Sequence, residues 1–326
     1  MSVTTRIEWT DATWNPVTGC TKVSPGCDHC YAETFAERWR GTTGHYFASG
    51  FDVRLRRDKL ALPLRWRRPR RIFVNSMSDL FHKDVPDDYI ARVFAVMAAC
   101  PQHTFQLLTK RPARMRALLN NDGFADRAMD ESLVIKPIAM GAKPHGDIWP
   151  LPNVWVGVSV ENQRWADIRV PTLLDTCAAI RWISAEPLLG PINLGALSTR
   201  EGPVDALMGN LDHARGPDGR LRAMENPRPL PRLDWVVAGG ESGHGARPMH
   251  PNWVRSLRDQ CDFASVPFLF KQWGAWAPES VVASETGAAT ARCVDWDGEA
   301  MQRSGKGRTG RTLDGRTHDQ YPAKEA

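Results

Sequence analysis

About seven short apolar runs alternating with amphipathic segments predict an α/β fold, a full or partial (β/α) TIM-like barrel. The runs span four to seven residues and lack polar alternation, as expected of strands covered on both faces. Helix-period segments separate most of them. No Gly-x-Gly-x-x-Gly follows the first run, which disfavours a doubly wound dinucleotide-binding sheet.

The first strand is read near Ala12 to Trp14, leading into a loop with Cys20, Cys27 and Cys30. A helix is expected from Tyr31 to Arg40, where Tyr31, Phe35 and Trp39 recur at i, i+4, i+8. Residues 41–71 are loop-rich and basic. Arg54, Arg56, Arg57, Lys59, Arg65, Arg67, Arg68, Arg70 and Arg71 fall within 18 residues, interleaved with Trp66. Ile72 to Asn75 reads as a buried strand, Pro86 to Cys100 as an amphipathic helix that Pro101 ends. Thr104 to Thr109 is a strand, followed by a helix to about Leu119. Further strands are read at Val154 to Val160, Ile180 to Ser184, Leu233 to Ala238 and Pro267 to Phe270. Helices are expected near Gln163 to Thr176 and at Asn252 to Asp262. Every strand from the second on ends in polar residues, and active sites sit at the carboxyl ends of barrel strands.

The barrel is assigned to 1–276, with Gly-, Pro- and Asn-rich insertions of weak periodicity near 121–150 and 195–231. Residues 277–326 are read as a C-terminal hairpin, turning at Asp297-Gly298, and a basic tail.

The 326-residue chain has a net charge of +5, which permits nucleic-acid contact without requiring it. No apolar run reaches the roughly 18 to 20 residues of a bilayer span. The N-terminus lacks the apolar region of a signal peptide, so no membrane is expected. Of seven cysteines, Cys100, Cys177, Cys261 and Cys293 are scattered singly, which fits a reducing cytoplasm better than a disulfide framework.

Cys20, Cys27 and Cys30 fall in an eleven-residue span. Three thiolates that close favour a metal or cluster, and three leave one position for something other than protein. The alternatives are a zinc site completed by His29 or His45, or plain buried thiols.

Several stretches carry a resemblance: Trp14-Asn-Pro-Val-Thr-Gly-Cys20, Asn75-Ser-Met-Ser-Asp-Leu-Phe81, Leu107-Leu-Thr-Lys-Arg-Pro112 and Gly157-Val-Ser-Val-Glu-Asn162. Ser184-Ala-Glu-Pro-Leu-Leu-Gly190, Gly239-Gly-Glu-Ser242, Phe270-Lys-Gln-Trp273 and Leu313-Asp-Gly-Arg-Thr317 add to it. With them the chain resembles the radical S-adenosylmethionine (SAM) group. More closely, it resembles a bacterial and phage family of unassigned function with the same Cys-x6-Cys-x2-Cys opening. The usual radical SAM spacing is Cys-x3-Cys-x2-Cys, so the first gap is longer here.

The resemblance implies a [4Fe–4S] cluster on Cys20, Cys27 and Cys30, with SAM on the fourth iron and reductive cleavage of SAM as the activity. An electron donor such as a flavodoxin or ferredoxin is then a partner. It places His29 near the adenine and Asn75, Ser76, Ser78 and Asp79 near the SAM amino group; the same polar residues also suit a helix N-cap. Ser159, Glu161, Ser184 and Glu186 are candidates for the ribose or methionine moiety; the alternative for Glu161 and Glu186 is structural carboxylates paired with Lys110 or Arg181.

Gly239, Gly240, Glu241 and Ser242, followed by Gly243, Gly245 and Arg247, read as a carboxylate or phosphate cradle or as plain turn punctuation. Lys110, Arg111 and Lys271 add positive charge, so an anionic substrate is expected, a nucleotide or nucleic acid among the candidates. No catalytic residue is assigned. The second reading is a zinc-containing nucleic-acid- or partner-binding protein. Trp66 would stack on a base there, and the tail (Arg303, Lys306, Arg308, Arg311, Arg316) would track phosphates.

Overall fold

Seven short strands form the parallel sheet: β1 (Ala12–Trp14), β2 (Arg71–Val74), β3 (Thr104–Thr109), β4 (Val154–Ser159), β5 (Ile180–Ala185), β6 (Trp235–Gly239) and β7 (Phe268–Gln272). Their order across the sheet is their order in the chain. A doubly wound sheet would reverse direction at a switch point; a (β/α) winding does not. The protein is thus mixed α/β with the sequential parallel strands of a partial (β/α) barrel. The computed structural model describes residues 5, 7–135, 148–215, 218–286, 293–296 and 298–323. The N-terminal residues 1–4 and 6, part of the 121–150 insertion and the hairpin position 297 lie outside the described residues.

The chain divides into two units. The first comprises Met1–Val23, Cys30–Val158 and Asp175–Ile180; the second comprises Ser24–His29, Ser159–Leu174 and Arg181–Ala326.

In the first unit β1 pairs with β2, β2 with β3, and β3 with β4, all parallel. Trp14, Ile72, Val74 and Phe105 are fully buried, which explains the unbroken apolar runs. Helix α1 (Tyr31–Glu37) follows the cysteine loop, and α2 (Asp87–Ala98) joins β2 to β3. Helices α3 (Pro112–Leu119) and α4 (Asp122–Ile135) follow β3. One expectation fails here. The aromatic stripe of α1 faces outward: Tyr31, Phe35 and Trp39 are exposed, while Ala32 and Ala36 are buried. The close approach to Phe47 and Phe51 takes small residues. The first half of the 121–150 insertion is helix α4. It buries Phe124, Ala128 and Ser132 at i, i+4, i+8, and Phe124 packs edge-on against Phe94 of α2.

In the second unit β5 pairs with β6 and β6 with β7, again parallel. Helix α5 (Gln163–Leu174) follows β4, and α6 (Pro251–Ala264) joins β6 to β7. Residues 195–231 hold a hairpin, Asn210–Arg215 with Leu221–Pro229. Beyond β7, Trp276–Pro278, Cys293–Trp296 and Glu299–Arg303 form a small antiparallel sheet. The chain end then runs back along β7: the Phe270 amide donates to the His318 carbonyl at 3.0 Å and the Phe268 amide to Gln320 Oε1 at 2.9 Å. That pairing covers what would be an open strand edge. Among the described residues no helix is long and apolar enough to cross a membrane.

Candidate functional site

The carboxyl end of β1 feeds directly into the cysteine loop. The amide of Gly19 donates to the Met77 carbonyl and that of Cys20 to Phe51. Cys20 is therefore fixed by backbone bonds to the loop after β2 and to the segment after α1. Cys30 is the N-cap of α1. Cys20 and Cys30 pack against one apolar cluster, Ala32, Ala36, Phe47 and Phe51.

A polar network surrounds Cys20. Arg111 Nη1 donates to Cys20 Sγ at 3.3 Å and to Asp79 Oδ2 at 3.0 Å, while its Nη2 donates to the carbonyl and hydroxyl of Thr21. Asp79 is buried. It also accepts from the Thr109 hydroxyl at 2.8 Å and from the amides of Phe81 and Lys110. Burial, aided by the Asp79 charge, pushes the Cys20 thiol up to about 11, against the opposing pull of Arg111. A guanidinium donating to a sulfur also stabilises a thiolate once a metal has displaced the proton. Arg111, expected on the substrate, is thus committed to Asp79, Thr21 and Cys20.

The residues after β2 serve mostly to lock β1 and the loop. Asn75 adopts φ 62°, a left-handed conformation that asparagine tolerates. Its amide donates to the Trp14 carbonyl, and its Oδ1 accepts from the Val17 amide. Its Nδ2 is buried and has no hydrogen-bond partner among the described residues. Ser76 Oγ bonds Asn15, and Ser78 Oγ donates to the Val17 carbonyl at 2.9 Å. Tyr31, through its hydroxyl, donates to the Ser76 carbonyl. Asn15 also accepts from the Met77 amide.

The basic stretch 54–71 behaves differently from its stacking reading. Trp66 is buried against His103, with Arg70 over its ring, so it has no free face for a base. Arg57, Arg65, Arg67 and Arg68 are exposed, and none forms an ion pair among the described residues.

In the second unit, the strand ends carry three carboxylate–cation groups. Glu161, after β4, is fully buried and accepts from Arg169 of α5 at 3.1 Å and from the Ser24 hydroxyl at 2.7 Å. Arg169 also donates to the Ser159 carbonyl and stacks over Trp165. Ser184 is buried, and its carbonyl receives the Val160 amide. Glu186, after β5, holds Lys271 Nζ at 2.6 Å and accepts from Gln272. Gln272 also donates to Ser242. Glu241, after β6, is buried and takes Arg247 in a fork, at 2.9 Å from Nε and 2.6 Å from Nη2. Arg247 continues to the Asp28 carboxylate at 3.2 Å and the Pro25 carbonyl at 2.8 Å. His29 is exposed and lies over Gly245.

These pairings recast the anion cradle. Arg111, Arg247 and Lys271 each answer a carboxylate, so their positive charge is largely compensated. The glycine pair has an intramolecular reason as well. A Cβ on Gly240 would sit 1.9 Å from the Trp273 carbonyl oxygen, so the backbone that approaches closely is the chain's own.

Sequence reasoning missed Arg169 and Asn15. A lone arginine four residues after Trp165 on the inward face of an amphipathic helix was the available signal for the first. For the second it was an asparagine directly after the first strand.

The three cysteines suit an iron–sulfur cluster in donor chemistry: none forms a disulfide, all are partly accessible, and one sulfur already accepts an N–H. Among the described residues no three His, Cys, Asp or Glu side chains are gathered into a metal-holding group. No curated protein and no solved structure matches the chain. The family whose pattern does match, described as "protein of unknown function (DUF5131)", spans residues 4–322, nearly the whole sequence, and the chain belongs to it.

Proposed function

We propose that this protein is a cytoplasmic radical SAM-type enzyme. In this reading Cys20, Cys27 and Cys30 hold a [4Fe–4S] cluster and SAM occupies its open iron. When bound, the cluster would supply one electron, from a flavodoxin- or ferredoxin-like donor, to cleave SAM reductively. The observation that carries the reading is the pairing of Cys20 and Cys30 on one apolar cluster after β1, the strand position from which such loops open.

The chain's own residues would do the rest. Arg111 would hold Cys20 and offset the thiolate charge; Asp79 would orient Arg111. Asn75 brings a buried donor without a partner among the described residues, which suits the SAM amino acid moiety through its carboxylate. The substrate we infer is anionic, with nucleic acid the leading class, because Arg57, Arg65, Arg67 and Arg68 are exposed and form no ion pairs among the described residues.

Anaerobic reconstitution with iron and sulfide tests the cluster. The expected product is brown, bleaches with dithionite and releases 5′-deoxyadenosine from SAM. Cys27→Ala should abolish both colour and release. A colourless wild-type protein carrying one zinc after the same treatment overturns the reading.

The exposed arginines also favour a second reading, a nucleic-acid-binding protein with structural zinc. Binding that weakens steeply with salt in a cluster-free protein would support it.

A further inference from the structure

The six residues between Cys20 and Cys27 exceed what a short ligand loop needs, and the structure assigns them partners. Ser24 to His29 belong to the second unit, and two of its groups, Glu161 and Arg247, bond this segment. Ser24 Oγ donates to Glu161 Oε1 at 2.7 Å. Arg247 reaches both sides of Cys27, taking the Pro25 carbonyl at 2.8 Å and the Asp28 carboxylate at 3.2 Å. Between them the chain makes a single 3-10 turn, Pro25–Cys27, closed by the Cys27 amide on the Ser24 carbonyl. The fit is close: a Cβ on Gly26 would stand 2.3 Å from Glu161 Oε1.

The two anchors are built to hold. Glu161 and Arg169 are almost wholly buried, so their positions are set by the core between β4 and α5. Glu241 is buried and fixes Arg247 through a fork and the Arg247 amide. Two rigid groups thus grip the residues before and after Cys27. Neither Glu241 nor Arg247 has a net charge left to offer an anionic substrate.

We infer that Arg247, backed by Glu241, and Glu161, backed by Arg169, are positioning residues for Cys27, and that the longer first gap exists to reach them. This rests on the cluster reading for its purpose, since it makes Cys27 a preset ligand. It also reassigns Glu161, Glu241 and Arg247 from ligand binding to ligand-loop support. Preset ligands cost less ordering when a metal arrives, and supporting hydrogen bonds are typical of such sites.

The test uses the full chain in two states. In the metal-free protein, hydrogen exchange at the Cys27 and Asp28 amides reads the loop directly. Arg247→Lys keeps a cation beside Glu241 but cannot fork to Pro25 and Asp28 together. It should speed exchange at those two amides about tenfold, the loss of one or two charge-assisted bonds. After reconstitution, iron affinity should fall about tenfold or more. Unchanged exchange at Cys27 and Asp28 in a folded Arg247→Lys protein overturns the inference. Should that variant unfold, Ser24→Ala with Asp28→Asn repeats the test from the loop side and leaves both buried carboxylates paired. A wild-type protein that takes up no iron sinks the cluster reading alone; the exchange result still decides whether these residues hold the loop.

Discussion

At the scale of single residues, the site is defined by arginines that face carboxylates. Arg111 is the clearest case, because one side chain serves Asp79, Thr21 and Cys20. Replacing it with methionine leaves a buried carboxylate without its counter-charge. Breaking a buried pair commonly costs about 3–5 kcal/mol. Asp79 keeps Thr109 and two backbone amides as donors, so the low end, about 3 kcal/mol, is expected for Arg111→Met. Urea denaturation of metal-free protein measures it. A loss below about 1 kcal/mol, the size of an exposed pair, would show that Asp79 does not depend on Arg111. In a protein carrying the proposed cluster, the same substitution should lower its reduction potential, since it removes both a positive charge and an N–H from the sulfur.

At the scale of elements, the strands were legible and the contacts were not. The parallel strands after the short β1 could be read from largely apolar runs, because a strand buried on both faces has little polar alternation to obscure it. Helix α1 shows where pattern reading breaks. Its period-four aromatics suggested the buried face, yet the tight approach to Phe47 selected alanines. Helix α4 was hidden for a related reason: its inward face is mostly Ala and Ser, which carry little hydropathy signal. Spacing singled out Cys20, Cys27 and Cys30, but contacts such as Ser24 to Glu161 and Asp28 to Arg247 join segments far apart in the chain, beyond the reach of local spacing. The Gly239-Gly240 pair looked like a ligand cradle, and its second member is filled by Trp273. Gly240→Ala should therefore destabilise the β6–β7 connection by about 3 kcal/mol, at the upper end for overpacking, through backbone that cannot yield easily. A Gly240→Ala protein with a wild-type melting temperature would mean that the turn relaxes freely.

At the scale of the whole chain, each unit holds groups whose protonation opposes folding, and together they set a two-stage acid response. His82 and His103 are buried in the first unit, and burial, foremost, holds both below the ordinary histidine value of 6.5. Asp11 in the first unit and Asp314 in the second face the opposite balance. Burial alone would raise them, but Arg71 for Asp11, and Arg258 with Arg255 for Asp314, hold both below the ordinary 3.8. All four have folded values below their unfolded ones. Each contribution is complete above the unfolded value and is lost as pH falls through the folded one. The histidine part should therefore fade from about pH 6.5 downward, and the aspartate part only from about pH 4 downward. Urea midpoints taken from pH 8 to pH 3 should show two declines separated by a shallower stretch. His103→Asn should flatten the first decline, since it removes a ring whose Nε2 bonds the Pro63 carbonyl inside the core. Asp11→Asn with Asp314→Asn should lower the midpoint at pH 7 and flatten the second. A midpoint constant from pH 8 to pH 5 would mean that the two histidines can protonate in place, and the burial argument for them would fail.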